Sequence, residues 1–249
     1  MIVGIIPARL GSTRLPGKPL ADIGGKPMIY HTYNSASGSK LIDRLIVATD
    51  DEVIYNTVTE FGGEAMMTSS DIKTGSDRIA ATVNQLRNID IVVNIQGDEP
   101  FIPWRMIDKA IEPLLFDKSV EVATLVKRIT EPVEYISPDT VKVVFDYFNF
   151  ALYFSRSPLP HVREAGDPAE IVKNYAVYKH IGLYVYRYSA LMKFTKWPQT
   201  DLENLEKLEQ LRMLEKGMKI KVVETDEESI AVDTLEDLKR VRKLYGFEE

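Results

Sequence analysis

The chain reads as an α/β protein on a doubly wound, mostly parallel sheet, and three observations predict it. Short runs rich in Val and Ile alternate with stretches of helical apolar spacing across residues 1–112. Loops of Gly, Pro, Asp and Ser follow the apolar runs at 2–6, 45–49 and 89–95. After a stretch of different character, a last strand–helix pair near residue 230 returns to the opening pattern. A single domain over 1–249 with an insertion at about 120–217 therefore fits better than two independent domains.

Taken in order, Ile2–Ile6 is a β-prone run that stops at Pro7. Pro27 sits where a first helical turn tolerates it, and Met28 to about Ser37 reads as a helix ending near Gly38. Leu45–Thr49 is a second strand, closed by Asp50 and Asp51. In the helix Glu52–Phe61, Val53, Ile54, Val58 and Phe61 share one face, and Gly62-Gly63 stops it. Glu64–Thr68 is a short strand, 76–87 a helix, Ile89–Ile95 a buried strand and Trp104–Glu112 a helix. Beyond it, 121–128, 140–146 and 150–155 read as strands, with a hairpin turn at Asp146–Asn149. Residues 157–178, with three prolines and mixed charge, look like an excursion or lid. His180–Arg187 is a strand, Leu202–Lys216 a long charged helix ended by Gly217, and Lys219–Glu224 a strand. Ile230–Asp233 reads as a strand end leading into a helix over 234–245, opened by the capping-box pattern Thr234-x-x-Asp237.

Composition narrows the function. Hydrophobic residues make up 45% of 249, enough for a substantial core. No run of 18 apolar residues indicates a membrane span, and no basic stretch precedes an apolar one as in a signal peptide. The absence of cysteine excludes disulfides and thiolate metal sites and fits a reducing cytoplasm. A net charge of −6 argues against a general nucleic-acid binder. Residues 1–30 nevertheless carry Arg9, Arg14, Lys18 and Lys26 against Asp22 alone. A basic spot on an acidic chain favours a small anionic ligand.

That spot is the loop after the first strand. Its glycines let backbone N–H groups approach oxygens while Arg and Lys balance charge, so it suits polyphosphate. It is not a Walker A loop, because five residues separate Gly11 from Gly17 and Pro19 follows Lys18; nor does it hold G-x-G-x-x-G. The plainer alternative is a basic surface loop. Gln96-Gly97-Asp98-Glu99-Pro100 follows a strongly apolar strand, where open α/β sheets place ligands. A carboxylate there suits Mg²⁺ facing phosphates, and a solvated turn is an equal reading. Asp233 supplies a second strand-end acid, or simply caps the helix that follows. Thr74–Arg78 opens a helix with groups suited to a base edge, or is an ordinary N-cap. His31, His161 and His180 lack paired-ligand spacing, and neither H-E-x-x-H nor G-x-S-x-G occurs. Lys207, Glu209 and Arg212 read as a solvated helix face.

Together and in this order, these stretches resemble the 3-deoxy-manno-octulosonate (Kdo) cytidylyltransferases. The matching segments include IIPARLGSTRLPGKPL (5–20), VATDD (47–51), TGSDR (74–78), VNIQGDEPFIP (93–103), ALYFSRSPLP (151–160), KHIGLYVYR (179–187), LEKLEQLRMLEKG (205–217) and VDTLEDL (232–238). The resemblance implies a Rossmann-like, mixed, mostly parallel sheet of the glycosyltransferase-A kind in one nucleotidyltransferase domain. Its portion at about 120–217 would bind the sugar and form a homodimer. It implies that CTP and Kdo give CMP-Kdo and diphosphate with Mg²⁺, in the cytoplasm, for lipopolysaccharide. The alternatives are the same chemistry on 8-amino-Kdo or another nonulosonate-type acid and, more remotely, a non-catalytic nucleotide-binding regulator. Carried over, Ala8, Arg9, Leu10, Ser12, Thr13, Arg14 and Lys18 hold the triphosphate, Arg9 and Lys18 acting on the leaving group. Ser76, Asp77 and Arg78 hold the cytidine, and Asp98 and Asp233 the metal. Gln96, Arg156, His180, Tyr184, Glu209 and Gln210 hold the sugar acid. The chain departs from the family around 226–231, where a glycine-containing approach is usual, and in the excursion at 161–178.

Overall fold

The computed structural model describes residues 1–11, 15–163 and 166–247. The chain divides into two compact units, Met1–Asp108 with Glu228–Glu249, and Lys109–Glu227.

The first unit opens with β1 (Ile2–Ala8), followed by a small hairpin, β2 (Asp22–Ile23) and β3 (Lys26–Pro27). Helix α1 (Met28–Ala36), β4 (Arg44–Thr49), α2 (Glu52–Glu60), β5 (Ala65–Met67), α3 (Gly75–Val83) and β6 (Ile91–Asn94) then alternate. The strands lie in the order β6-β1-β4-β5, all parallel, with Ile5 opposite both Ile46 and Asn94. Val3, Ile5 and Ile6 on the central strand are fully buried, as expected for a parallel strand covered on both faces. Because the strands run the same way, the loops after Ala8, Thr49 and Asn94 leave one edge of the sheet.

Local chemistry sets the helix starts. The Asp51 carboxylate accepts from Val53 N and Ile54 N at 2.9 and 3.1 Å, and Thr74 Oγ1 accepts from Asp77 N at 3.1 Å. Helix α3 stops at Val83 instead of running to residue 87, and Asn88 turns the chain in the left-handed region at φ 60°.

The unit boundary falls inside α4 (Trp104–Phe116). The second unit holds β7 (Val122–Arg128), α5 (Pro132–Ile136), β8 (Lys142–Phe145), β9 (Ala151–Ser155), α6 (Pro168–Asn174), β10 (Tyr178–Arg187), α7 (Tyr188–Phe194), α8 (Asp201–Glu206), α9 (Gln210–Glu215) and β11 (Ile220–Glu224). Here β7 pairs parallel with β11 and antiparallel with β10, while β8 runs antiparallel to β10 and β9. The expected hairpin turn is present: Asp146 Oδ1 accepts from Phe148 N and Phe150 N, and Asn149 is left-handed.

Two expectations for this unit need correction. The excursion is not featureless, since α6 packs Ile171 and Val172 with Ile129, Tyr135 and Val177 into a small core of its own. The long helix over 202–216 is broken at Lys207, which is left-handed at φ 54° and ψ 46°. The reason is a buried ion pair. On a continuous helix Glu203 and Arg212 would stand on opposite faces, about 14 Å apart along the axis. The break lets Arg212 Nε meet Glu203 Oε2 at 2.8 Å, with Nη2 on the other oxygen, so Arg212 is buried and not part of a solvated face.

The chain then rejoins the first unit and ends in α10 (Leu235–Leu244). Val232, Leu238 and Val241 complete a core cluster with Ile23 and Met28. Residues 230–233 form no strand; Val232 N donates to Asp98 O at 2.8 Å, a single bond without a ladder. Among the described residues no helix is long and apolar enough to cross a membrane.

Candidate active site

The site of the first unit lies where the sheet edge releases its loops. Gly17, left-handed at φ 68°, turns the chain into a short 3-10 segment, Lys18–Leu20. Lys18 Nζ donates to Asp98 Oδ2 at 2.7 Å and to Asp233 Oδ1 at 2.8 Å. Burial works against the ammonium, yet the two carboxylates outweigh it and hold Lys18 above its ordinary pKa.

Each carboxylate has a local reason for its place. Asp98 stands in the loop after β6, which crosses close beneath β1: a Cβ on Gly97 would lie 2.8 Å from Pro7 O. The bond from Val232 N to Asp98 O fixes the 230–233 segment beside that loop. Asp233 is not the helix cap. Thr234 and Asp237 form the capping box, with Asp237 Oδ2 accepting from Thr234 N at 2.9 Å and Asp233 N at 3.1 Å. The Asp233 carboxylate is thereby left to meet Lys18.

These groups floor a cleft of about 390 Å³, whose walls include Ala8, Arg9, Thr74, Gly75, Arg78 and Gln96. Arg9 is exposed and donates to Lys73 O at 3.3 Å. Arg78 is nearly buried, with Nη2 on Asp50 at 3.1 Å and Nη1 on Thr68. Leu10 lines an adjoining depression with Asp50 and Asp51. Ser76 is buried in the first turn of α3 and Asp77 half-buried beside it. Ser12, Thr13 and Arg14 lie outside the described residues.

Sequence reasoning missed Glu99. It is buried beside Asp98, and desolvation pushes its carboxyl up to about 7, with Ser229 opposing and Asp98 adding to the rise. The only signal for it was adjacency to Asp98.

The second unit holds the other expected site residues. His180 Nε2 shares a hydrogen bond with Thr124 Oγ1 at 2.9 Å, and its ring contacts Phe154 and Tyr184. Desolvation lowers the imidazole to about 3, so it is neutral at physiological pH. Burial raises the Tyr184 phenol well above its usual range. Glu209 lies 3.9 Å from Arg212 Nη2, and Gln210 is buried at the start of α9. Arg156 donates from Nε to Glu206 O at 2.9 Å and from Nη1 to Pro138 O at 3.0 Å.

The donor set suits a hard cation. Among the described residues no three His, Cys, Asp or Glu side chains gather into a metal cage. Mg²⁺ asks for less, taking one or two carboxylates and completing its shell with phosphate and water. Two carboxylates already converging on one ammonium meet that demand.

Comparison with known proteins places the chain. A cytidylyltransferase family model matches residues 3–220. A 3-deoxy-manno-octulosonate cytidylyltransferase of Trichlorobacter lovleyi is 50% identical over 246 residues, covering 97% of each chain. That of Geotalea uraniireducens is 52% identical over 244 residues, 96% of this chain and 97% of the relative. Among solved structures, a CMP:2-keto-3-deoxy-manno-octonic acid synthetase complexed with CTP superposes with a TM-score of 0.91 at 40% identity, covering 98% of both chains. A 4-diphosphocytidyl-2C-methyl-D-erythritol synthase from Anaerococcus prevotii, at 16% identity and TM-score 0.60 over 98% of both chains, shares the fold alone.

Proposed function

Because the chain belongs to the 3-deoxy-manno-octulosonate cytidylyltransferase family, we infer that it converts CTP and Kdo to CMP-Kdo and diphosphate for lipopolysaccharide synthesis. The observation that carries this reading is half identity to such enzymes over nearly the whole chain. A basic cleft with two convergent carboxylates supports it.

In this reading the sugar's anomeric hydroxyl attacks the α-phosphorus in line. A new P–O bond forms as the α–β anhydride bond breaks, and diphosphate departs. The step needs positioning and charge neutralisation more than a covalent nucleophile. Arg9 and Lys18, with Ser12, Thr13 and Arg14, bind the β- and γ-phosphates and stabilise the leaving group. Backbone groups of Ala8 and Leu10 frame the same loop, and Ser76, Asp77 and Arg78 hold the cytidine. Asp98 and Asp233 hold Mg²⁺, which when bound supplies charge neutralisation and a template for in-line displacement. Arg156 presents a planar fork to the sugar carboxylate. Gln96, His180, Tyr184, Glu209 and Gln210 read the hydroxyls, with His180 serving as a neutral hydrogen-bonding group.

The chain acts as one nucleotidyltransferase domain, its portion at about 120–217 carrying sugar recognition and the surface of a homodimer, in the cytoplasm. The test is a panel of Kdo, 8-amino-Kdo and another nonulosonate with CTP and Mg²⁺, read by diphosphate release and product mass. CMP-Kdo as the dominant product is expected. Turnover confined to the amino sugar would reassign the acceptor, and CTP binding without product from any acid sugar would overturn the enzymatic reading.

A further inference from the structure

We propose that Glu206 and Lys142 are positioning residues that hold Arg156 ready for the carboxylate of the acid sugar. The inference rests on the reading of Arg156 as that carboxylate's ligand. Arg156 leaves the end of β9, and one residue takes hold of both its backbone and its side chain. Glu206 Oε2 accepts from Arg156 N at 2.9 Å, and Oε1 accepts from Ser155 Oγ at 2.6 Å. The main-chain oxygen of Glu206 accepts from Arg156 Nε at 2.9 Å. That carbonyl is available because the helix breaks at Lys207: in a continuous helix it would take the N–H of Gln210. The interruption therefore supplies an acceptor for Arg156.

Lys142 grips from the other side. Its side chain is fully buried, and Nζ donates to Ser137 O, Thr140 O and Arg156 O at 2.7, 2.6 and 2.6 Å. Pro138, inside the turn so gathered, presents the carbonyl that takes Arg156 Nη1 at 3.0 Å. The ammonium thus orders the acceptor for one edge of the guanidinium while Glu206 orders the other.

The charges point to an anion. Both acceptors of the guanidinium are neutral carbonyls, and among the described residues no carboxylate forms an ion pair with it. Lys142 and Arg156 stand as two cations beside the single carboxylate of Glu206, and their mutual repulsion contributes to lowering the Lys142 pKa behind the larger cost of burial. A ligand carboxylate neutralises the excess, and a guanidinium fixed in plane loses less freedom on binding it.

The experiment is steady-state kinetics with Kdo and CTP varied in turn, alongside thermal melting. Glu206→Gln keeps the shape but removes the charge and leaves one acceptor oxygen where Arg156 N and Ser155 Oγ now have two. We expect its KM for Kdo to rise roughly tenfold or more, as for loss of a hydrogen bond to a charged group, with the KM for CTP and the melting temperature little changed. Lys142→Met, where it folds, gives the same split; where it does not, the half-buried Glu206 carries the test. Arg156→Gln is the reference. If Arg156→Gln raises the KM for Kdo while Glu206→Gln does not, or if Glu206→Gln shifts both KM values together, the positioning role is overturned. If Arg156→Gln itself leaves the KM for Kdo unchanged, the assignment of Arg156 falls, and this inference with it.

Discussion

Replacing Arg212 with Met strands a carboxylate inside the second unit. Glu203 and Arg212 keep only 3% and 6% of their side-chain surface, and two guanidinium nitrogens bind the two carboxylate oxygens. Removing one member of such a pair costs about 3–5 kcal/mol, because the remaining charge has lost its partner without regaining water. The substitution also removes a guanidinium stacked 4.7 Å from the Phe194 ring centroid and a bond to Trp197 O, which pushes the loss toward the upper figure. With an unfolding entropy of about 2 cal/mol/K per residue, the melting point falls roughly 6–10 °C if the whole chain unfolds together. The shift is about twice that if the second unit melts alone. Differential scanning calorimetry of Arg212→Met, Glu203→Leu and the double variant decides it. The double variant removes the stranded charge and recovers most of the loss, since a buried pair is often replaceable by apolar side chains. A single variant melting within 2 °C of wild type, or a double variant no better than the singles, would refute the reasoning.

Three further outcomes follow from the geometry. Asp98→Asn lowers turnover about a hundredfold or more at saturating CTP and Kdo, and near wild-type turnover at saturating Mg²⁺ would remove Asp98 from the metal site. Gly97→Ala drives a Cβ to 2.8 Å from Pro7 O, so calorimetry should show a loss of about 1–3 kcal/mol; unchanged stability would mean the loop does not depend on that approach. His180, lowered to about 3, refuses a proton that the unfolded chain accepts below its ordinary 6.5. Its contribution is complete above 6.5 and is lost progressively as pH falls toward 3, at most about 2 kcal/mol between pH 7 and 5. Urea unfolding of His180→Asn should show a flatter pH dependence there, and an unchanged slope would contradict the shift.

How much of this was legible depends on the range of the interaction. The parallel core and the convergence of Lys18 with Asp98 were readable, because strand-end loops of one parallel sheet must share an edge. Whether Asp233 capped a helix or faced the cleft was not readable, since both readings use the same residues. The choice turned on Thr234 and Asp237 completing the cap without it. The helix over 202–216 failed because local spacing cannot register Glu203 and Arg212 meeting across a break. The strand at 230–233 failed because apolar alternation says nothing about whether a pairing partner exists. Lys142 in a strand and Glu99 in a loop that also read as a solvated turn are both buried. Charge in a sequence marks a need for partners and does not reveal whether water or protein meets it.

The split make-up of the first unit has a temporal side. Lys18 and Asp98 leave the ribosome well before Asp233, which at ordinary synthesis rates means an interval of about 7–27 s. Throughout that time Ile23 and Met28 lack the cover of Val232, Leu238 and Val241, and Lys18 has one carboxylate where the finished chain gives it two. A chain that stalls or is clipped before residue 230 is at once uncovered at this cluster and without its second acid. The cover of this apolar cluster and the second carboxylate at Lys18 are thus acquired in the same final stretch of translation.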